Sequence, residues 1–404
     1  MEDTAWQSPC QTASGFGTLS SIDQLAVQIT VRACCPRLIY KGVLTMEKKF
    51  LNVAIIGCGN IAGAYGKTLQ PYPQIKILGA TDIDLARAET YVATFGGRAY
   101  PSVEAILEDP AVDLVINLTI HHAHYTVISQ CLNAGKDVYS EKPLSLTSEE
   151  AQSLVKLAQE KGRRLSCAPI TILGEAQQTA WKAIRDGMLG TVRLAYAEVN
   201  WGRIESWHPA PGPFYQVGPL FDVGVYPLTI LTTIFGPARR ITGFGKVLFP
   251  DRVTKEGVPF HITTPDFAVA AIEFANGSVA RLTTNFYVGH HSKQKGIEFH
   301  GDLGSLYLSD WQNFHGEVEF AEFGRGSEYK AIPYVKEPYN GTEWSRGVLD
   351  IAGAINENRP QRITGAQAAH VVDILCAVQN SFEQGKPIEI ASDFVQPMPM
   401  EWAV

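Results

Sequence analysis

The sequence predicts a two-domain protein. An α/β Rossmann-like domain with a doubly wound parallel sheet comes first, followed by an α+β domain with a large, mainly antiparallel open sheet. Three observations carry that prediction. From Leu51 to Ala168 short apolar runs alternate with amphipathic stretches, the pattern of parallel strands wrapped by crossover helices. A turn of small residues, Gly57-Cys58-Gly59-Asn60-Ile61-Ala62, follows the first of those runs. Beyond Pro169 the periodicity gives way to a series of β-rich segments closed by two helical ones.

Taken in order, residues 51–57, 75–81, 112–119 and 137–140 read as buried strands, and 164–168 as a further one. Residues 61–69, 86–95, 125–133 and 148–161 read as the helices between them. Ser148, with Glu149 and Glu150 behind it, suits a helix start, because a hydroxyl and early acids match the exposed amides there. In the second half a helix is expected over 174–187 and a strand over 191–200. A Pro/Gly/aromatic loop then leads into a single helix over 219–235. Strands follow over 239–249, 266–274, 278–286, 296–300 and 305–308, and helices over 344–356 and 365–382.

Composition narrows the function. Of the 404 residues 19% are charged and 45% apolar, with a formal net charge of −7. That balance supports a sizeable core. No basic stripe of the kind nucleic acid requires is present, and no uninterrupted apolar run reaches the roughly 18 residues of a membrane helix. Cys10, Cys34, Cys35, Cys58, Cys131, Cys167 and Cys376 form no CxxC pair, which argues against zinc and against a secreted disulfide framework. A cytoplasmic location is therefore expected. Residues 1–45 differ from the rest and read as a dispensable extension, with Met46 placed as a natural start.

The turn at residues 57–62 has the residue types that hold a dinucleotide. Small side chains at Gly57, Gly59 and Ala62 permit a tight turn, close backbone approach to a pyrophosphate and close packing of helix on strand. The amides opening the helix, from Asn60 and Ile61 onward, then face the phosphates. Asp82 ends the next strand, where a carboxylate accepts the adenine ribose hydroxyls and repels a 2′-phosphate. NAD is thus favoured, with NADP left open by the nearby Arg87.

Two further motifs supply proton chemistry. Glu141-Lys142-Pro143 ends a strand, and the proline keeps Lys142 out of helical geometry. Asp222 and Tyr226 are four apart, a spacing that stacks both on one face of a continuous helix, with Pro227 expected to kink it. A free tyrosine titrates near 10. A lysine cation about 4 Å away, at an effective dielectric near 20, would favour phenolate by about 4 kcal/mol, or roughly three pKa units. The aromatic loop 201–215, with Trp207, His208 and Tyr215, reads as a substrate-contacting segment. His121, His122 and His124 have neither a cysteine nor a carboxylate beside them, so no metal is expected.

Together these landmarks resemble the glucose–fructose oxidoreductase / inositol dehydrogenase (Gfo/Idh/MocA) family over residues 50–395. The resemblance rests on 53–62, Asp82, Thr119 with His124, and Ala134-Gly135-Lys136-Asp137-Val138 leading into Glu141-Lys142-Pro143. It continues through Asp222-x-Gly224-x-Tyr226, the 301–308 stretch and Gly385-Lys386-Pro387. It implies an enzyme with a Rossmann domain (46–168) and a substrate-binding and oligomerisation domain (169–404), forming a homodimer or homotetramer through its open sheet. The implied activity is hydride transfer between nicotinamide and a sugar, inositol or diol. Lys142 matches the active-site lysine and Asp222 a substrate-orienting acid, while Thr119, His124 and Glu141 fall at cofactor-proximal positions. Tyr226 stands where many members carry histidine, and Thr119-Ile120-His121-His122 replaces the usual Thr-Pro turn. Two alternatives use the same fold: a glycosidase that retains NAD through its cycle, and a non-enzymatic dinucleotide-sensing regulator, which commonly lacks the lysine.

Overall fold

The computed structural model describes residues 50–404; the extension reading of residues 1–45 falls outside the described residues. The first sheet contains β1 (Leu51–Ile56), β2 (Ile75–Thr81), β3 (Arg98–Ala99), β4 (Leu114–Asn117), β5 (Asp137–Ser140) and β6 (Leu165–Cys167). Its order is β3-β2-β1-β4-β5-β6, parallel throughout. The order reverses between β1 and β4, and the crevice outside those strand ends is where such sheets bind ligands.

The crossovers are α1 (Ala62–Leu69), α2 (Leu85–Phe95), α3 (Val103–Glu108), α4 (His124–Asn133) and α5 (Ser148–Lys161). Alternate residues of one strand feed opposite faces. Val53 and Ile55 join the apolar cluster shared with the second half of the chain, whereas Ala54 and Ile56 join a separate cluster under α4 and α5. At the start of α5 it is Thr147, not Ser148, that caps, its hydroxyl accepting from the Glu150 amide at 3.2 Å. Ser148 is already helical.

The second half builds one nine-stranded sheet. After α6 (Glu175–Arg185) come β7 (Val192–Asn200), the helices α7 (Gly212–Asp222) and α8 (Val225–Phe235), and β8 (Ala238–Lys246). A separate two-stranded ribbon, β9 (Asp251–Val253) with β10 (Pro259–His261), precedes β11 (Phe267–Phe274) and β12 (Val279–Asn285). The strands β13 (Gly296–Gly301), β14 (Gly304–Leu308), β15 (Val318–Glu322) and β16 (Lys330–Ala331) follow, then α9 (Arg346–Asn356), α10 (Gly365–Gln384) and β17 (Ile388–Glu389). The order is β16-β15-β14-β13-β7-β12-β11-β8-β17, and only β7 and β12 pair in parallel. Ala195, Ala197 and Val199 on β7 point into the core beneath the helices.

The single helix expected over 219–235 is two. Gly218 (φ +72°) breaks the first before Pro219, and α7 ends at Asp222. A new helix begins at Val225, so Pro227 lies in its first turn. There a missing N–H costs nothing, and no kink results.

Helix α10 packs on both halves. It lies against β8 of the large sheet and against α5 beside the first sheet, and its Ala369 and Val372 complete the cluster under α4 and α5. The preceding segment is tied down as well: the Ser345 hydroxyl bonds Thr68 at 2.9 Å and Arg164 reaches Gln361 at 2.7 Å.

Candidate active site

The turn after β1 lies at the switch point of the first sheet. Gly57 has φ +96°, and a Cβ there would come within 2.8 Å of the Leu118 carbonyl at the end of β4. Glycine is thus required twice, by conformation and by the close approach of the two strand ends. At Gly59 a Cβ would meet nothing within 4 Å, so this side of the loop opens onto space. The amides of Gly59, Asn60 and Ile61 have no acceptor among the described residues, and no side chain caps α1. Three free N–H groups converging at a helix start fit the pyrophosphate of a dinucleotide. The Asp82 carboxylate is held in the same loop, accepting from the Cys58 amide at 2.7 Å and from the Asp84 amide at 2.9 Å. Arg87 pairs with Asp84 at 3.3 Å. Burial first, and then Asp82, push the Cys58 thiol up to about 12, so it stays protonated.

The end of β4 is ordered from beneath. Asn117, fully buried, accepts the Thr119 hydroxyl at 2.8 Å and donates to Ser140 at 3.0 Å. His124 fastens this turn to the lysine segment: Nδ1 lies 2.6 Å from the Pro143 carbonyl and Nε2 3.0 Å from that of Thr119. Burial keeps its pKa below the ordinary histidine value against the pull of the two carbonyls. A neutral ring therefore donates to one carbonyl and abuts the other, and neither nitrogen is open to a metal. His121, in the short turn Ile120–Ala123, has its Nε2 buried and unpartnered. Burial, with the neighbouring His122 and His124, lowers its pKa to about 4.

Glu141, largely buried, accepts a hydrogen bond from the Tyr65 hydroxyl at 2.7 Å, and Tyr65 in turn touches Tyr139 at 3.2 Å. The next residue, Lys142, projects toward the junction of α7 and α8. The Lys142–Pro143 peptide is cis. Lys142 Nζ donates to the Asp222 carbonyl at 2.7 Å and to Asp222 Oδ1 at 2.9 Å. It also lies 5.3 Å from the Tyr226 ring centroid. The chain thus brings Lys142, Asp222 and Tyr226 together as expected, but not on one helical face. Asp222 ends α7 and Tyr226 opens α8, and the lysine bridges the gap. Burial lowers the Lys142 pKa, but Asp222, Tyr226 and Glu141 outweigh it and hold the ammonium well above its usual value.

The expected depression of the tyrosine pKa is not what the surroundings give. Burial pushes Tyr226 up to about 12, and the opposing Lys142 cation does not overcome it. The phenol is 7% exposed and its hydroxyl has no partner among the described residues. Trp311, from the loop after β14, packs on it with ring centroids 5.2 Å apart. No local motif marks Trp311, which reaches the site only through the pairing of β13, β14 and β15.

The aromatic loop divides. Trp207, His208 and Phe214 stack on one another, Trp207 being exposed, and none stacks on Tyr226 or Trp311. Tyr215 is engaged within the fold. It is buried, donates to Glu205 and accepts from Arg252 at 2.7 Å, within an ion-pair cluster completed by Asp266. Its hydroxyl bridges a buried guanidinium and the Glu205 carboxylate that helps neutralise it.

Known proteins resemble this chain in both halves. The profile described as "Oxidoreductase family, NAD-binding Rossmann fold" matches residues 51–168, and that of the "GFO/IDH/MocA C-terminal domain" matches residues 177–307. The chain is 28% identical over 207 residues to trans-1,2-dihydrobenzene-1,2-diol dehydrogenase of Mus musculus, covering 49% of this chain and 60% of that enzyme. It is 30% identical over 234 residues to dTDP-3,4-didehydro-2,6-dideoxy-alpha-D-glucose 3-reductase of Streptomyces antibioticus, covering 57% of this chain and 70% of that enzyme. The first of these matches spans less than two thirds of the relative's length. A levoglucosan dehydrogenase solved with NADH and levoglucosan superposes with a TM-score of 0.74 at 19% identity, over 84% of this chain and 99% of that one, which speaks to the fold alone. With both domains matched in order, and the dinucleotide turn and the Glu-Lys-Pro segment meeting at one switch point, the chain belongs to the Gfo/Idh/MocA oxidoreductase family.

Proposed function

We propose that this chain transfers hydride between a nicotinamide dinucleotide and a hydroxyl-bearing carbon of a sugar, inositol or related diol. NAD is preferred to NADP. The observation that carries the reading is the Lys142 cation, held 2.7 and 2.9 Å from Asp222 and 5.3 Å from the Tyr226 ring, beside the strand ends that carry the turn of residues 57–62. The turn, with Asp82, Thr119 and His124, holds and flanks the dinucleotide. Asp82 is engaged by backbone amides, and its charge disfavours a 2′-phosphate. We assign residues 46–168 to the cofactor domain and 169–404 to the substrate domain. The outer face of the nine-stranded sheet is assigned to a homo-oligomer contact, and the protein to the cytoplasm.

Bound nicotinamide supplies the hydride acceptor or donor. The chain's own residues handle the proton. When an alcohol is oxidised, its carbon gives up hydrogen with both bonding electrons and its oxygen gives up a proton, which Oη of Tyr226 in its phenolate form receives; reduction runs the same transfer backward from the neutral phenol. With its pKa near 12, Tyr226 is a proton donor at neutral pH, the form that completes carbonyl reduction. Lys142 polarises the reacting oxygen and restrains the rise of the tyrosine pKa. Asp222 Oδ1 is taken by Lys142, while Oδ2 has no partner among the described residues and accepts a neighbouring substrate hydroxyl.

The test is the absorbance of reduced nicotinamide, with purified protein, NAD or NADP, and a panel of aldoses, inositols and diols. The same panel is run on Lys142→Ala and Tyr226→Phe. Turnover that both variants lose is the expected result. Turnover unchanged in Tyr226→Phe would remove the tyrosine from the proton path. Silence across the panel, with nicotinamide retained by the purified protein, would overturn the dehydrogenase reading in favour of a glycosidase that keeps its cofactor.

A further inference from the structure

Beside the catalytic cluster lies a cavity of about 500 Å³ between the ends of β7, β13 and β14, within the roughly 300–1,000 Å³ of small-molecule sites. Trp311 connects the two places. It packs on Tyr226 at 5.2 Å, lines the cavity, and meets Trp201 at 5.6 Å with the rings inclined by 48°. His290 continues the aromatic wall, edge-on to Trp201 at 5.4 Å. The wall is built firmly. Asp310 Oδ1 accepts the Gln312 and Asn313 amides at 2.7 and 2.9 Å, and Gln177 from α6 donates to the carbonyls of Asp310 and Asn313 at 3.2 and 2.9 Å. Trp201 is fixed through its amide to the Asn285 carbonyl at 3.2 Å.

Some polar groups around this wall are unspent. The side-chain amides of Gln294 and Gln312 have no partner among the described residues, and of the Glu198 carboxylate only Oε1 is engaged, by Arg281 and Thr283. A lining that combines indoles with side-chain amides and a carboxylate oxygen suits a pyranose ring, whose apolar face stacks while its hydroxyls both donate and accept. The charge points the same way. Glu198 is paired with Arg281, and Asp310 and Glu317 stand with Lys295 in the lining among the described residues, a balance with no excess of cations that disfavours a nucleoside diphosphate and tolerates a neutral glycoside.

Resting on the hydride-transfer reading above, we infer that the cavity lined by Trp201 and Trp311 is a second-ring subsite. The protein's substrate is then a neutral disaccharide or glycoside, with one ring at Tyr226 and its neighbour on the tryptophan wall. Trp201 acts as a specificity residue and touches no reacting atom.

The experiment is isothermal titration calorimetry of the full chain with NAD present, using glucose, the disaccharides maltose, cellobiose and lactose, and UDP-glucose as probes. The variants are Trp201→Ala and, because Trp201 is partly buried, the milder Gln294→Ala. The expected result is at least one disaccharide binding ten-fold or more tighter than glucose. That ratio should fall below three-fold in Trp201→Ala and drop measurably in Gln294→Ala, with glucose binding unchanged. Equal binding of glucose and all three disaccharides would overturn the subsite. So would tighter binding of UDP-glucose than of every disaccharide, or a ratio that survives both substitutions. Because binding is read directly, these outcomes stand even if no probe is oxidised; failure of turnover alone would fall on the hydride-transfer reading.

Discussion

Replacing Lys142 by methionine removes the one cation that opposes the burial of Tyr226. The ammonium lies 5.3 Å from the ring centroid. Coulomb's law at that distance, with an effective dielectric near 20, gives about 3 kcal/mol in favour of phenolate, or about two pKa units. Burial already leaves the phenol near 12 with the lysine in place, so without it the phenolate population at a given pH falls by about a hundred-fold. In the wild type, log(kcat/KM) for alcohol oxidation should rise with unit slope from neutral pH to at least pH ~10, without a plateau, because the base form is scarce throughout. In Lys142→Met the line should keep its slope and lie about two decades lower. The assay is initial-rate formation of reduced nicotinamide across that range, with melting curves at each pH to show that the variant is folded. A wild-type plateau centred near pH 7, or a loss smaller than three-fold in the variant, would refute the assignment of the proton to Tyr226.

Other expectations follow from particular contacts. Asp82→Ser removes the charge beside the adenosine end of the loop and frees the Cys58 amide; the ratio of kcat/KM for NADP over NAD should rise ten-fold or more in steady-state assays with both cofactors. Tyr215→Phe deletes a hydroxyl that serves Glu205 and Arg252. It should cost about 1–3 kcal/mol in urea unfolding and leave turnover within two-fold of wild type, whereas a selective rise in KM would return Tyr215 to the substrate site. His370 is fully buried, and its Nε2 accepts the Ala238 amide at 2.9 Å; burial and Arg239 lower its pKa to about 4. Its folded value lies below the unfolded one, so this stabilisation is present above pH ~6.5 and is lost as the pH falls through about 4. Chemical denaturation at a series of pH values should show His370→Gln losing less stability between pH 6.5 and 4 than the wild type.

Much of this was legible because each signal is local. The strands β1, β2 and β4 are short, mostly apolar segments of the kind that a sheet covered on both faces accommodates. The turn of residues 57–62 declares itself through small residues at fixed offsets. The division of the helix at 219–235 was hidden because Gly218 and Gly224 fit a helix and a break equally, and because Pro227 reads as a kink or a start according to where the helix begins. The two-residue strands β3, β16 and β17 are too short to carry a period. The parallel pairing of β7 with β12 joins segments far apart in the chain, which no local pattern records. At the site, Lys142, Asp222 and Tyr226 were readable as residues but not as charges. The tyrosine's pKa depends on burial by Trp311 and its neighbours, and burial is a tertiary quantity. The contacts of Tyr215 were hidden for the same reason, since its partner Arg252 is distant in sequence and wholly buried.

The double attachment of α10 bears on how the molecule is made. Ala369 and Val372 fill a cluster whose other members all come from the first domain, and Gly365 approaches so closely that a Cβ would press within 2.7 Å of the Leu165 side chain on β6. As the chain leaves the ribosome, the dinucleotide-binding sheet emerges early yet lacks part of one wall until this late helix arrives. The sheet that carries the dinucleotide turn therefore gains the last part of that wall only with the end of the chain. A fragment ending after β6 would display a sticky apolar face, and a chaperone or an added C-terminal helix would be needed to keep it in solution.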